Sequence, residues 1–120
     1  MKTELHHVHD ITIAELVSDE LILTTAQEAL DLMVNVYYSD IDRMILYEKN
    51  MTPTFFDLKT GLAGEILQKF SNYSMRLAII GDFSGYQSKS LTDFMYESNR
   101  QGKISFVKSL SEAKEKLSTS

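Results

Sequence analysis

The chain has 120 residues, of which 43% are hydrophobic and 24% charged, the balance of a folded globular domain rather than a disordered tail. Its formal net charge of -5 comes with no Lys/Arg run, so nothing offers a footprint for a phosphate backbone and nucleic acid is not an expected partner. Cysteine is absent, which excludes disulfides, thiolate catalysis and Cys-based metal sites, and no apolar run approaches the roughly 20 residues that span a bilayer, so no membrane partner is expected.

Residues 1–10, MKTELHHVHD, lack the apolar core of a secretory signal, and a cytoplasmic location is the default. They are expected to form a flexible N-terminus ahead of a single α/β domain over 11–120. His6, His7 and His9 with Asp10 could hold zinc or nickel, but at a mobile terminus such binding is adventitious. The sequence therefore leads to an expectation of no metal and no cofactor.

Ile11–Val17 is a β-rich run, Ser18-Asp19-Glu20 a turn, and Leu21–Leu23 apolar again, which reads as an opening hairpin or bent strand. Thr25-Ala26-Gln27-Glu28 is a capping box, and Ala26, Ala29, Leu30, Met33 and Tyr37 follow it at helical spacing. Arg43–Tyr47 is the next strand. Thr52-Pro53 starts a helical stretch, since Pro at the first helical position lacks an amide that would be unpaired anyway. Its stripe comprises Phe55, Leu58, Leu62, Ile66, Phe70 and Tyr73, and Gly61 in mid-pattern predicts a break between a short and a longer helix.

Arg76–Ile80 is nearly all apolar, as a strand covered on both faces must be. Ser90-Leu91-Thr92-Asp93 offers another cap, with a helix running to a Gly102 stop. Ile104–Val107 is the last strand, and Ser109-Leu110-Ser111-Glu112 boxes a final helix. The order is ββαβαβαβα, predicting one mostly parallel sheet of about five strands with helices packed on it, the opening strands being its antiparallel or edge elements.

The run FFDLKTGLAGEILQKFSNYSMRLAIIGDF, followed by SKSLTDFMYESNRQGKISFV, resembles the small bacterial family of domain of unknown function 4180 (DUF4180). That resemblance covers the chain from about Ile11 onward and implies no particular activity. More loosely, the element order is similar to STAS and SpoIIAA-like domains, in which the helix after the third strand opens on an Asp-Ser-Ser-Gly turn carrying a phosphorylated serine. The corresponding turn here is Asp57-Leu58-Lys59-Thr60-Gly61, and neither alignment on Asp57 nor alignment on Gly61 reproduces the motif.

Two places carry candidate binding residues. Asp57, Lys59, Thr60 and Gly61 open the longer helix, where exposed amides and the helix dipole could hold an anion or a partner's backbone; the plainer reading is that Asp57 and Thr60 cap the helix while Gly61, Ala63 and Gly64 let it lie close on the sheet. Glu48 and Asp82, with Lys108, fall just past the C-terminal ends of strands, the edge where open α/β sheets bind ligands. No nucleophile–base pair and no cofactor fingerprint is present, so no catalytic residue is assigned. Two function classes follow: a non-catalytic regulatory or protein-interaction module with an unknown protein partner, a homodimer being compatible, or a small enzyme or small-molecule or anion sensor with its site at the C-terminal edge of the sheet. A deep pocket around those residues would favour the second and a flat surface the first.

Overall fold

The computed structural model describes residues 2–118. One sheet runs through the molecule in the order β1-β2-β3-β4-β5, with β1 at Lys2–Val8, β2 at Ile11–Val17, β3 at Arg43–Tyr47, β4 at Arg76–Ile80 and β5 at Ile104–Val107. The first two strands are antiparallel and paired along their whole length; β2 to β5 are parallel. Helices α1 (Ala26–Tyr37), α2 (Leu62–Asn72) and α3 (Lys89–Gln101) cross between the parallel strands, and α4 (Leu110–Ser118) follows β5.

The opening differs from the expected one. Lys2–Val8 is an edge strand rather than a free terminus, and the hairpin is β1–β2, turning at His9 with a φ of 56°. Leu21–Leu23 supplies only an isolated bridge from Leu23 to Met51. Alternation explains the strand: Glu4, His6 and Val8 are half-buried between exposed neighbours, a period of two masked in the sequence by polar side chains.

Sequential strand order puts all three crossover helices on one face. There Ala29, Met33, Ile66, Phe70 and Leu91 pack on Ala14, Leu16, Met44, Leu46, Leu77 and Ile79. The second face is thinner: Ala113 and Leu117 of α4 cover Ile13, Ile45, Ala78, Ile80 and Val107. Leu77–Ile80 is buried on both faces as predicted, at 0–7% exposure. Arg43 and Arg76 reach from this second face to the last turn of α4, donating to the carbonyls of Leu117 and Lys116, cations placed where a helix C-terminus favours them.

The caps follow the sequence with shifts. Thr25 Oγ1 accepts from the Glu28 amide at 3.1 Å, while the Glu28 carboxylate takes the amide of Thr24, one residue earlier than a standard box, at 2.8 Å. Helix α3 is capped by Ser88 rather than Ser90, and ends at Gly102 in the left-handed region, φ 79°. The buried side of α1 is Ala29, Leu32, Met33 and Val36, leaving the predicted Tyr37 exposed.

Candidate functional site

Tyr47, Ile80 and Val107 lie level across the parallel strands, so Glu48, Gly81 and Lys108 follow side by side at the C-terminal edge. Glu48 crosses directly over Gly81: a Cβ there would fall 2.6 Å from Glu48 Cβ and 2.7 Å from its Oε1. Glycine is required at this position for that close approach. The Glu48 carboxylate accepts a 2.5 Å hydrogen bond from the Tyr86 hydroxyl; burial and this anion together raise the Tyr86 pKa above the usual tyrosine range. Asp82 points elsewhere, accepting from the hydroxyl (2.6 Å) and amide (3.1 Å) of Ser84, bonds that hold its carboxyl below the ordinary value. The two acids share an edge without pairing.

Above them Phe56 stacks on Tyr86 at 5.0 Å, and Phe83 meets Phe106 edge-on at 5.4 Å. The aromatic loop thus folds back over the sheet edge and closes it.

The turn before α2 is also committed internally. Pro53–Phe56 and Leu58–Thr60 form two 3₁₀ turns, and Gly61, φ 78°, is both the end of the second and the N-cap of α2. Asp57 Oδ1 accepts from the Lys59 amide at 3.3 Å. Thr60 Oγ1 accepts from the Leu62 amide, satisfying one orphan donor of α2, and donates within the turn at 2.9 Å to Asp57 O. Lys59 is exposed and has no ion pair among the described residues. Of the six residues singled out in the sequence, it alone presents an unengaged charge.

The close packing expected of Gly61 and Gly64 is not found. A Cβ on either would meet nothing within 4 Å, and only Ala63 is buried. Gly64 instead faces a groove of 590 Å³ between α2 and α3, with Leu67 and Met75 on one side and Phe94, Ser98 and Ile104 on the other. The six edge and turn residues do not line it. Beside the groove's Ser71 and Ser74 lies Tyr73, in an edge-to-face contact at 5.3 Å with Tyr37, which in turn contacts the 80% exposed Tyr38.

On the second face, Glu15 of β2 is 4% exposed. Its Oε1 meets His6 Nε2 at 2.6 Å and its Oε2 accepts from the Tyr47 hydroxyl at 2.5 Å. Burial, the largest influence on Glu15, raises its pKa, but the bonds from Tyr47 and His6 with the field of His6 and Lys114 outweigh it and the net shift is downward. Tyr47 is pushed up to about 12 by its own burial and by Glu15.

The family model Domain of unknown function (DUF4180) matches residues 8–117. The chain belongs to the DUF4180 family. No curated protein and no solved structure matches it. The match takes in the edge, the turn, the groove and Glu15 of this DUF4180 chain, but not Glu4 or His6 of β1. Tyr86 is one of the aromatic loop pair, with Phe83, that the sequence suggests could fold back over the sheet edge. Glu15 and Tyr47 are not legible as site residues in the sequence, although an acid inside the apolar run Ile13-Ala14-Glu15-Leu16 is a usable signal. With Ile13 inward on one face, Glu15 two residues on had to point the same way.

Proposed function

We propose that this DUF4180 protein is a non-catalytic regulatory module of the bacterial cytoplasm that binds a partner protein in the groove between α2 and α3. The groove carries the reading. Its walls are mainly apolar or neutral, the charge-poor composition of the centre of a protein interface. At 590 Å³ it suits the apolar face of a partner helix or a short extended segment. The rival enzyme or sensor reading needs a deep pocket at the sheet edge enclosing Glu48, Asp57, Lys59 and Asp82, and the enzyme form of it also needs carboxylates that meet. Glu48 and Asp82 are instead tied separately to Tyr86 and Ser84. The STAS likeness agrees with a binding role at the level of element order, which is analogy only.

Gly64 provides the test. It is helical, and its missing side chain would point into open space. Gly64→Leu is therefore expected to raise stability by about 0.5–1 kcal/mol through helix propensity, the reverse of the overpacking that burial against the sheet would have caused. The same change obstructs the groove. Affinity capture from native-host extract, read by mass spectrometry, should recover a partner with wild-type protein and with Lys59→Glu but lose it with Gly64→Leu. Loss with Lys59→Glu and retention with Gly64→Leu would move the site to the turn at Asp57–Gly61. A second copy of the chain as the captured species would make the groove a homodimer interface.

A further inference from the structure

We propose that Glu4, His6 and Glu15 form a binding site for a zinc-class divalent cation on the second face of the sheet. The inference is independent of the groove, and it runs against the expectation of no metal drawn from a terminus read as flexible.

The hairpin register creates the site. Glu4 of β1 lies directly opposite Glu15 of β2, and His6 opposite Ile13. Glu4, His6 and Glu15 therefore project from one face of the sheet. Donor atoms of the three, one from each, lie within 4.8 Å of one another. Two carboxylates directly opposed across antiparallel strands repel, the more so when one is 4% exposed as Glu15 is. A cation between them turns that repulsion into attraction. Imidazole nitrogen with carboxylate oxygens is a donor set that zinc accepts at about 2.0–2.2 Å per bond, with water in the remaining position.

A second observation concerns how Glu15 is held. Tyr47 donates to Oε2 at 2.5 Å, fixing the carboxylate so that Oε1 is presented toward His6. An outer hydrogen bond of this kind orients a metal ligand. His6 Nε2 and Glu15 Oε1 are now 2.6 Å apart, sharing a proton that a metal would displace. An ion bonded to both would spread them to about 3.4 Å, from tetrahedral angles at zinc bond lengths. His6 can yield that distance because it stands on an edge strand. The surrounding cations are Lys2, paired with Glu4 at 2.9 Å, and Lys114, whose field reaches Glu15; Lys2 is exposed and free to release Glu4. His7 is not part of the set, since it bonds Thr12 at 3.1 Å from the opposite side of the strand, and His9 is in the hairpin turn.

Untagged full-length protein, stripped with chelator, is titrated calorimetrically with zinc chloride. One equivalent should bind. Glu4→Gln, at a half-exposed position where folding is not at risk, should weaken binding at least about tenfold, and Tyr47→Phe, which removes only the orienting hydroxyl, about 10- to 100-fold. The His7→Asn/His9→Asn double variant should bind as wild type. The proposal is overturned if wild type takes up no saturable zinc, if Glu4→Gln binds it unchanged, or if the double variant loses it, which would mean adventitious binding by the terminal histidines.

Discussion

Phe55→Ala is expected to lower the free energy of unfolding by about 3–5 kcal/mol, the range for emptying a buried phenylalanine site. Phe55 is 1% exposed and packs edge-on against Phe56 at 5.0 Å, while Phe56 stacks on Tyr86 and Tyr86 holds Glu48. The ring thus sits beneath the chain of contacts that closes the C-terminal edge. Backbone bonds alone cannot replace it, because the segment from Pro53 to Thr60 consists of two 3₁₀ turns, too short to be stable without packing. Against a total stability of about 5–15 kcal/mol for a domain, the loss takes away a large fraction. Urea unfolding should show a lower midpoint at unchanged slope. A shift worth less than about 1 kcal/mol would mean that the segment is held by something other than this aromatic stack.

The parts of the fold legible in the sequence are those fixed by local chemistry. Thr25, Ser109 and Gly102 act at the helix ends where their side chains, or the lack of one, suggested. The break at Gly61 is real because the next helix starts from a left-handed residue. Leu77–Ile80 is covered on both faces because four consecutive apolar residues leave no polar side to expose. Pairing was harder to read. Nothing in Lys2–Val8 announces a strand until it is known that Ile11–Val17 pairs with it, and the partner is a long-range fact. Leu21–Leu23 has the composition of a strand, yet Asn50 draws it into a loop: the Asn50 carbonyl accepts from the amides of Ile22 and Leu23, and its side chain donates to the carbonyls of Ser18 and Glu20.

The candidate site shows the same division. That Glu48, Asp82 and Lys108 would stand at one edge followed from strand ends alone. Whether they met depended on side-chain partners several elements away, and Tyr86, 38 residues beyond Glu48, took one of them. The groove depended on something no single helix encodes, the spacing between α2 and α3. Small residues so often mark close packing that Gly64 reads as a sheet contact, but the rotation of α2 set by Ile66 and Phe70 turns it away.

Glu15→Leu, in metal-free buffer near neutral pH, is expected to destabilise the fold by about 2–4 kcal/mol. Leucine is similar in size, so little cavity forms, but the Tyr47 hydroxyl and the His6 ring each lose the acceptor they now reach, and an abandoned buried polar group costs about 1–3 kcal/mol. Glu15→Gln keeps an acceptor for Tyr47 and should cost less, which separates loss of the bonds from loss of the charge. The pH dependence follows from the direction of the shift. The folded-state pKa of Glu15 is below its ordinary 4.5, so the unfolded chain takes up the proton first as acid is added. The stabilisation is complete above 4.5 and disappears as pH falls through the folded value. Urea unfolding of wild type and Glu15→Gln from pH 7 down to pH 3 should therefore show curves that converge on the acid side, the glutamine variant serving as control for the other carboxylates. The sign is a real contest, because burial pushes the Glu15 pKa upward and only the combined action of Tyr47, His6 and Lys114 reverses it. Curves that converge instead on the neutral side would show that burial wins and that the folded pKa of Glu15 lies above its ordinary value.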